Sequence, residues 1–317
     1  MSIEELKKLQ NGIIVKNKKI STIFKIIIGC VVLFTILLDI LGTKILMNSF
    51  YFFDIYFLLF PIFFEIVFGW VIFFITRNII LGNDINLFNK NYKKIFVLSA
   101  LKEIFTDLNY DPNSGVSEED IKKSGLIYLE DRFSSNDYIS GTYKKIRFEQ
   151  SDVHIEKRVV EEDMNGNKSV RWQTTFMGRW MNFDFNKNFR TNVIVFDSKG
   201  FNWWGRYKKI TMEDDDFNKQ FSVYAENEHE AFYILTPHFM EKIKKLKQNI
   251  GNNVTLGFID SKLYVTLNNY KDSFEYNVFK PIDEKIINSN IMKDIKIITD
   301  FVDDLDLDND LFKERVK

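Results

Sequence analysis

Two apolar runs near the N-terminus constrain this chain more than any other feature. Ile26 to Leu38 holds no charged residue and, with Ile40, Leu41, Ile45 and Leu46, reaches the ~20 residues a helix needs to cross a bilayer. Ile55 to Ile75 is almost wholly Phe, Ile, Leu and Val, interrupted by Tyr56, Pro61, Glu65 and Gly69. The link between the runs, Gly42 to Asp54, is short. The expectation is an antiparallel transmembrane hairpin over residues 20–81, with Tyr51, Tyr56 and Trp70 at the interfaces.

Basic residues set its orientation. Lys7, Lys8, Lys16, Lys18, Lys19 and Lys25 precede the first run, and Arg77, Lys90, Lys93 and Lys94 follow the second, against Lys44 alone in the link. The positive-inside rule therefore places both termini in the cytoplasm. The first run lacks a small-residue cleavage site and a second span follows directly, so it does not read as a cleaved signal. Residues 1–19 read as a basic cytoplasmic lead-in, with a surface helix over Ile3 to Gln10.

Two acids sit within the spans. Asp39 lies 14 residues past Lys25 and Glu65 lies 12 before Arg77, which puts both roughly 20 Å from the cytoplasmic face. With no basic residue in either span, at least one is expected to be protonated. A neutral hydrogen-bonded pair is the plainer expectation; a proton or cation relay, or a contact to a partner helix, is the sharper one.

The remainder, residues 82–317, is long enough for a substantial core. The net charge of -1 argues against a general nucleic-acid binder. The single cysteine, Cys30, excludes a disulfide framework and any multi-cysteine metal site and suits a cytoplasmic body. Abundant Lys, Asn, Ile and Phe fits an AT-rich bacterial coding bias.

The spacing of Phe88, Tyr92, Ile95, Phe96, Leu101, Ile104, Phe105 and Leu108 predicts one amphipathic helix over 83–109. Asp111-Pro-Asn-Ser-Gly115 is a turn, and Ser117 with Asp120 forms a capping box. From Tyr138 the period changes. Tyr143–Phe148, Val153–Val160, Val170–Phe176, Trp180–Phe185 and Val193–Phe196 read as strands of an antiparallel meander, with Asn165-Gly166 as a hairpin turn. A strand at Phe221–Ala225 and helices at Glu228–Leu235 and from Thr236-Pro237 to Gly251 follow. A hairpin over Val254–Leu267 turns at Asp260-Ser261, and a last helix spans Ser289–Asp304. The grouping of strands and helices makes the soluble part α+β.

Several motifs together resemble a known family: Tyr110-Asp-Pro-Asn-Ser-Gly115, Glu130-Asp-Arg-Phe133, Ser140-Gly-Thr142, Asp184-Phe-Asn-Lys-Asn-Phe189, Phe221-Ser-Val-Tyr-Ala225, Glu230 to Pro237 and Asp304-Leu-Asp-Leu307. From about Phe88 to Leu311 the chain resembles the bacterial domain-of-unknown-function family three-one-three-seven. The resemblance implies two spans ahead of the domain and a partner among LemA-type membrane proteins; it implies no catalytic residues and no cofactor. The closing acidic segment and Trp203-Trp204 depart from the family pattern.

No catalytic or metal constellation stands out. His229-Glu230 opens a zincin-like pattern, but Tyr233 stands where the second histidine belongs. Asp304, Asp306 and Asp308 start like a calcium loop, yet Asn309 and Arg315 occupy its glycine and glutamate positions, so a solvated acidic tail is expected. Ser140-Gly141-Thr142 reads as a turn at the start of a strand. Asp131 with Arg132, and Asp184 with Asn186 and Lys187, are candidate ligand contacts or loop-fixing groups. Trp203, Trp204, Arg206, Lys208 and Lys209 form an aromatic–basic cluster suited to anionic lipid. Three functions follow as expectations: a membrane-anchored protein-binding or scaffold module with no catalytic activity, a lipid-sensing domain, and an enzyme using Asp131, Asp184 or a metal.

Overall fold

In the computed structural model, residues 1–46, 55–164, 166–184, 191–197, 207–251 and 253–308 are described, without the side chains of 38–46 and 55–61. Asn186, Lys187, Trp203, Trp204, Arg206, Asn309 and Arg315 lie outside the described residues, as does the side chain of Asp39. The chain divides into two units, one of residues 1–95 with 276–283 and the other of 96–275 with 284–317.

The first unit is built on two helices, α1 (Ile3–Leu46) and α2 (Ile55–Tyr92). Both are long and apolar enough to cross a membrane. The basic lead-in is helical and continuous with the first apolar run, because Leu6, Gln10 and Ile13 recur at helical spacing and are all buried. Gln10 Nε2 donates to the carbonyls of Val278 (2.9 Å) and Lys280 (2.6 Å). Arg77 sits over the Phe279 ring and donates to Asn17 Oδ1. Higher up, Gly69 lets the helices close: a Cβ there would lie 2.3 Å from Ile28 Cδ1. Glu65 does find a hydrogen-bond partner, Thr35 Oγ1, at 3.1 Å.

The expected single helix over 83–109 is broken. α2 ends at Tyr92, a π-helical turn covers Lys93–Val97, and α3 (Leu98–Ile104) stops at Phe105, whose extended backbone leads into strand β1 (Thr106–Asp111). Leu108 therefore belongs to a strand, an outcome that side-chain spacing alone does not reveal.

Among the described residues the second unit is built on one antiparallel sheet of nine strands. In chain order come β1, α4 (Glu118–Ser124), β2 (Arg132–Tyr143), β3 (Ile146–Glu162), β4 (Lys168–Asp184), β5 (Val193–Phe196) and β6 (Lys208–Ile210). They are followed by α5 (Asp215–Gln220), β7 (Ser222–Ala225), α6 (Glu228–Ile234), α7 (Pro237–Ile250), β8 (Val254–Ile259), β9 (Lys262–Asn268) and α8 (Glu284–Asp304). The spatial order is β1-β2-β3-β4-β9-β8-β5-β7-β6. The expected strand Tyr143–Phe148 is interrupted: Lys144 and Lys145, at positive φ, turn the corner from the end of β2 at Tyr143 to the start of β3 at Ile146. The expected strands Val170–Phe176 and Trp180–Phe185 merge into β4 through Gly178, where a Cβ would lie 2.0 Å from the Leu267 carbonyl oxygen.

Strand alternation divides the sheet into two faces. One cross-strand row runs Phe148, Phe183, Leu263, Phe258. It meets Phe105, Phe301 of α8 and Phe239 of α7, with ring centroids 4.6, 5.8 and 5.9 Å away respectively. The capping signals hold: Ser117 accepts from Asp120 N and Thr236 from Phe239 N. On the opposite face α4 and the segment after it cover part of the sheet, where Val116, Ile121 and Ile127 pack on Val153, Ile155 and Trp180. The acidic closing segment is not a solvated tail as far as Asp308: Leu305 and Leu307 are buried, and Asp304 and Asp306 pair with Lys245 and Lys242.

Candidate functional site

Where α4 leaves the sheet uncovered, strand alternation brings polar side chains into one hollow of about 490 Å³. Two cross-strand rows supply it: Ser140, Glu149 and Asn182, then Thr142, Arg147, Asp184 and Lys262. Their strand neighbours Phe148, Phe183 and Leu263 point into the core on the other face, so the polar character of the hollow is the outward half of a two-residue period. Asn182 Nδ2 donates to Glu149 Oε2 at 2.8 Å, and Lys262 Nζ lies 3.9 Å from Asp184. Tyr138 borders the hollow, and burial, then the Glu149 charge, hold its phenol above the ordinary value. The lining therefore offers two cations, three carboxylates, hydroxyls and an amide, a mixture suited to a polar or zwitterionic surface.

A second polar group is buried on the helix face. Asp152 and Arg179 stand opposite one another on β3 and β4 and are both buried. Arg179 donates to the Asp294 carbonyl of α8 at 2.6 Å, to Asp294 Oδ1 at 2.7 Å and to Gln150 Oε1 at 3.4 Å. Asp152 accepts from the Ser273 hydroxyl at 2.8 Å and from the Ser273 amide. Burial raises the Asp152 carboxyl well above its ordinary value; the Arg179 charge opposes this, and a hydrogen bond shared with Asp272 reinforces it. Tyr110 donates to Asp137 Oδ1 at 2.6 Å, and burial, then the Asp137 charge, push its phenol far up. Asp137, Asp272 and Glu275 bring one oxygen each within 4.8 Å of one another, the arrangement that could hold a hard cation.

Among the described residues, the candidates from the sequence fall elsewhere, with one exception. Asp184 lines the hollow, and Ser140 and Thr142 do so from the interior of β2, not from a strand-opening turn. Asp131 and Arg132 do not pair with one another: Asp131 accepts the Arg158 amide at 2.7 Å, while Arg132 lies 3.6 Å from Glu156 and over the Trp172 ring at 3.3 Å. The chain neighbours of Asp131 and Asp184, Arg132 and Phe183, pair with Glu156 and Phe148 of β3, roughly 26 Å apart along the strand, so Asp131 and Asp184 do not share a site. Lys208 and Lys209 are exposed on the outermost strand β6. His154 Nε2 lies 3.0 Å from Thr174 Oγ1.

Sequence reasoning passed over Asp137, Gln150, Asp152, Arg179, Asp272 and Asp294. A signal was present: Gln150 and Asp152 continue the inward phase of Phe148, and Arg179 shares its phase with Met181 and Phe183. A charge repeated on a core phase asks for a buried partner.

The fold and its sites define an α+β sheet domain that follows two long apolar helices. The family model described as protein of unknown function (DUF3137) matches residues 174–307, from β4 past the end of α8. The match supports the family resemblance over that stretch. No curated protein and no solved structure matches it.

Proposed function

We propose that this chain is a membrane-anchored binding module of a bacterial cell. Its two helices form a hairpin across the cell membrane, both termini lie in the cytoplasm, and the sheet domain recognises another protein through its polar hollow. The observation that carries this reading is the outward-facing apolar surface of the two helices: Ile26, Phe34, Phe63 and Phe68 are each 60% or more exposed, a surface that water does not favour and a bilayer does. The flanking Lys and Arg residues support the orientation. The mixed charges of Arg147, Glu149, Asp184 and Lys262 support a protein surface as the ligand. A LemA-type membrane protein is the partner that the family resemblance suggests.

The test is co-purification of the full-length chain from its native membrane beside a Thr142→Trp variant, which fills the hollow. The expected result is a stoichiometric protein partner with the wild type and its loss with the variant at unchanged melting temperature. A variant that retains the same partner in the same amount overturns the role of the hollow.

A second reading is lipid sensing, favoured by the exposure of Lys208 and Lys209 on the edge strand β6. Reconstituted wild type is expected to enrich anionic lipid over the Lys208→Ala/Lys209→Ala variant; equal enrichment removes this reading.

A further inference from the structure

The β3–β4 ribbon outruns its neighbours. β2 pairs with β3 only as far as Arg132↔Glu156, and β9 pairs with β4 only as far as Gly178↔Asn268. The ribbon itself continues to Glu162↔Lys168. Beyond Glu156, therefore, no strand among the described residues pairs with the outer edge of β3. Val160 and Val170 are about half exposed on this ribbon, and Met164 at its tip is fully so. Two strands alone are marginally stable in water, and an open edge is a template for another strand.

The backbone phase of that edge can be read directly. The Arg158 amide donates outward, to Asp131 Oδ2, while the Asp163 amide donates to the Asn167 carbonyl on the other arm of the ribbon. Alternation then directs the N–H and C=O of residues 158, 160 and 162 to the open edge and those of 157, 159 and 161 to β4.

The sequence on the edge is Lys157-Arg158-Val159-Val160-Glu161-Glu162-Asp163, basic first and acidic last. An antiparallel copy centred on Val160 has the required phase. It places Val160 opposite Val160, Arg158 opposite Glu162, Lys157 opposite Asp163 and Val159 opposite Glu161. Centring one residue earlier sets Glu156 against Glu162, and centring one residue later sets Glu161 against itself. A parallel pairing in register opposes like charges throughout. Opposite charges across strands stabilise and like charges destabilise, so one register is selected.

We infer that the outer edge of β3 is an interface for a second copy of this chain, joined by antiparallel strand addition about Val160. Two hydrogen bonds link the Val160 pair, and two more run from Glu162 N–H to Arg158 C=O. The outer pairs bring the Glu162 carbonyl to the place that Asp131 Oδ2 holds at the Arg158 amide, so Asp131 gives up that bond on association. The result is a continuous four-stranded ribbon, β4-β3-β3-β4, across a two-fold axis. This inference is independent of the polar hollow and its partner.

The test uses the full-length chain reconstituted in bilayers, in a Cys30→Ser background because Cys30 is a free thiol. Val160→Cys is expected to form an intermolecular disulfide under mild oxidation, since hydrogen-bonded partners have Cα atoms about 5.5 Å apart and disulfides span roughly 4.4–6.8 Å. Val170→Cys is equally exposed but stands three strand spacings, about 14 Å, from its mate, and is expected not to crosslink. Equal crosslinking at both positions overturns the register.

A charge exchange supplies the second arm. Arg158→Glu alone and Glu162→Arg alone each create two like-charge pairs per dimer and are expected to weaken association about tenfold. An equimolar mixture of the two variants restores both opposite-charge pairs and is expected to recover wild-type association as a heterodimer. Failure of the mixture to recover overturns the proposal, and a folding defect cannot imitate recovery.

Discussion

Replacing Arg179 by Ala removes the ion that ties α8 to the centre of the sheet. The side chain is 2% exposed and gives two hydrogen bonds to Asp294 and a longer one to Gln150. Removing one member of a buried ion pair costs about 3–5 kcal/mol, because the other is left charged and unpaired. Asp294 is 31% exposed, so water reaches its carboxylate and brings the expected loss to the lower end, about 3 kcal/mol. Asp152 also loses the charge that opposes its burial, so its carboxyl rises further. For a domain of this size the melting temperature falls by about 6–12 °C. Thermal unfolding of the full-length protein, followed by near-ultraviolet circular dichroism, measures it. The control is Arg171→Ala, which breaks the Arg171–Glu161 pair, 55% and 56% exposed, and is expected to cost under about 0.5 kcal/mol. Equal shifts for the two variants would refute the argument that burial makes the Arg179 pair matter.

Gly178→Ala places a methyl 2.0 Å from the Leu267 carbonyl oxygen, in the β4–β9 ladder, and is expected to cost on the order of 3 kcal/mol by the same unfolding measurement. Thr236→Ala removes the acceptor for the Phe239 amide at the start of α7 and is expected to cost about 1 kcal/mol. For Asp152 the folded carboxyl holds its proton to higher pH than the unfolded one, whose ordinary value is 3.8. In that window the native state binds more protons, so its contribution to stability is complete below the unfolded value and is lost as pH rises through the folded one. Asp152→Asn therefore flattens the fall in stability above pH 3.8; an unchanged slope in a pH series of unfolding midpoints contradicts the assignment.

Local signals were legible in the sequence, and contacts between distant elements were not. The apolar runs, the caps at Ser117 and Thr236, the buried stripe Phe239, Met240, Ile243 and Leu246 of α7 and the turn at Asp260-Ser261 all depend on neighbours a few residues apart. The corner at Lys144-Lys145 carries none of the usual turn residues, so its positive φ is set by the pairing of β2 with β3. β1 was hidden because Phe105 and Leu108 continue a helical spacing until the sheet claims the backbone. α5 is too short to show a helical apolar period, although Asp214 caps it by accepting from Asp216 and Phe217. Within the hollow, Asp184 was singled out from its turn chemistry, whereas Arg147, Glu149, Asn182 and Lys262 join it only through strand register. The buried group around Asp152 draws on β2, β3, β4, α8 and the segment after β9 and has no linear signature.

The most direct test of a membrane-anchored binding module is site-specific photo-crosslinking of the full-length chain in its native membrane. One crosslinking residue replaces Thr142 in the hollow, and a control replaces the exposed Tyr233 on α6. The account predicts a discrete protein adduct from position 142 that is absent from position 233. Equal labelling from both positions, or no protein adduct from position 142, would contradict it.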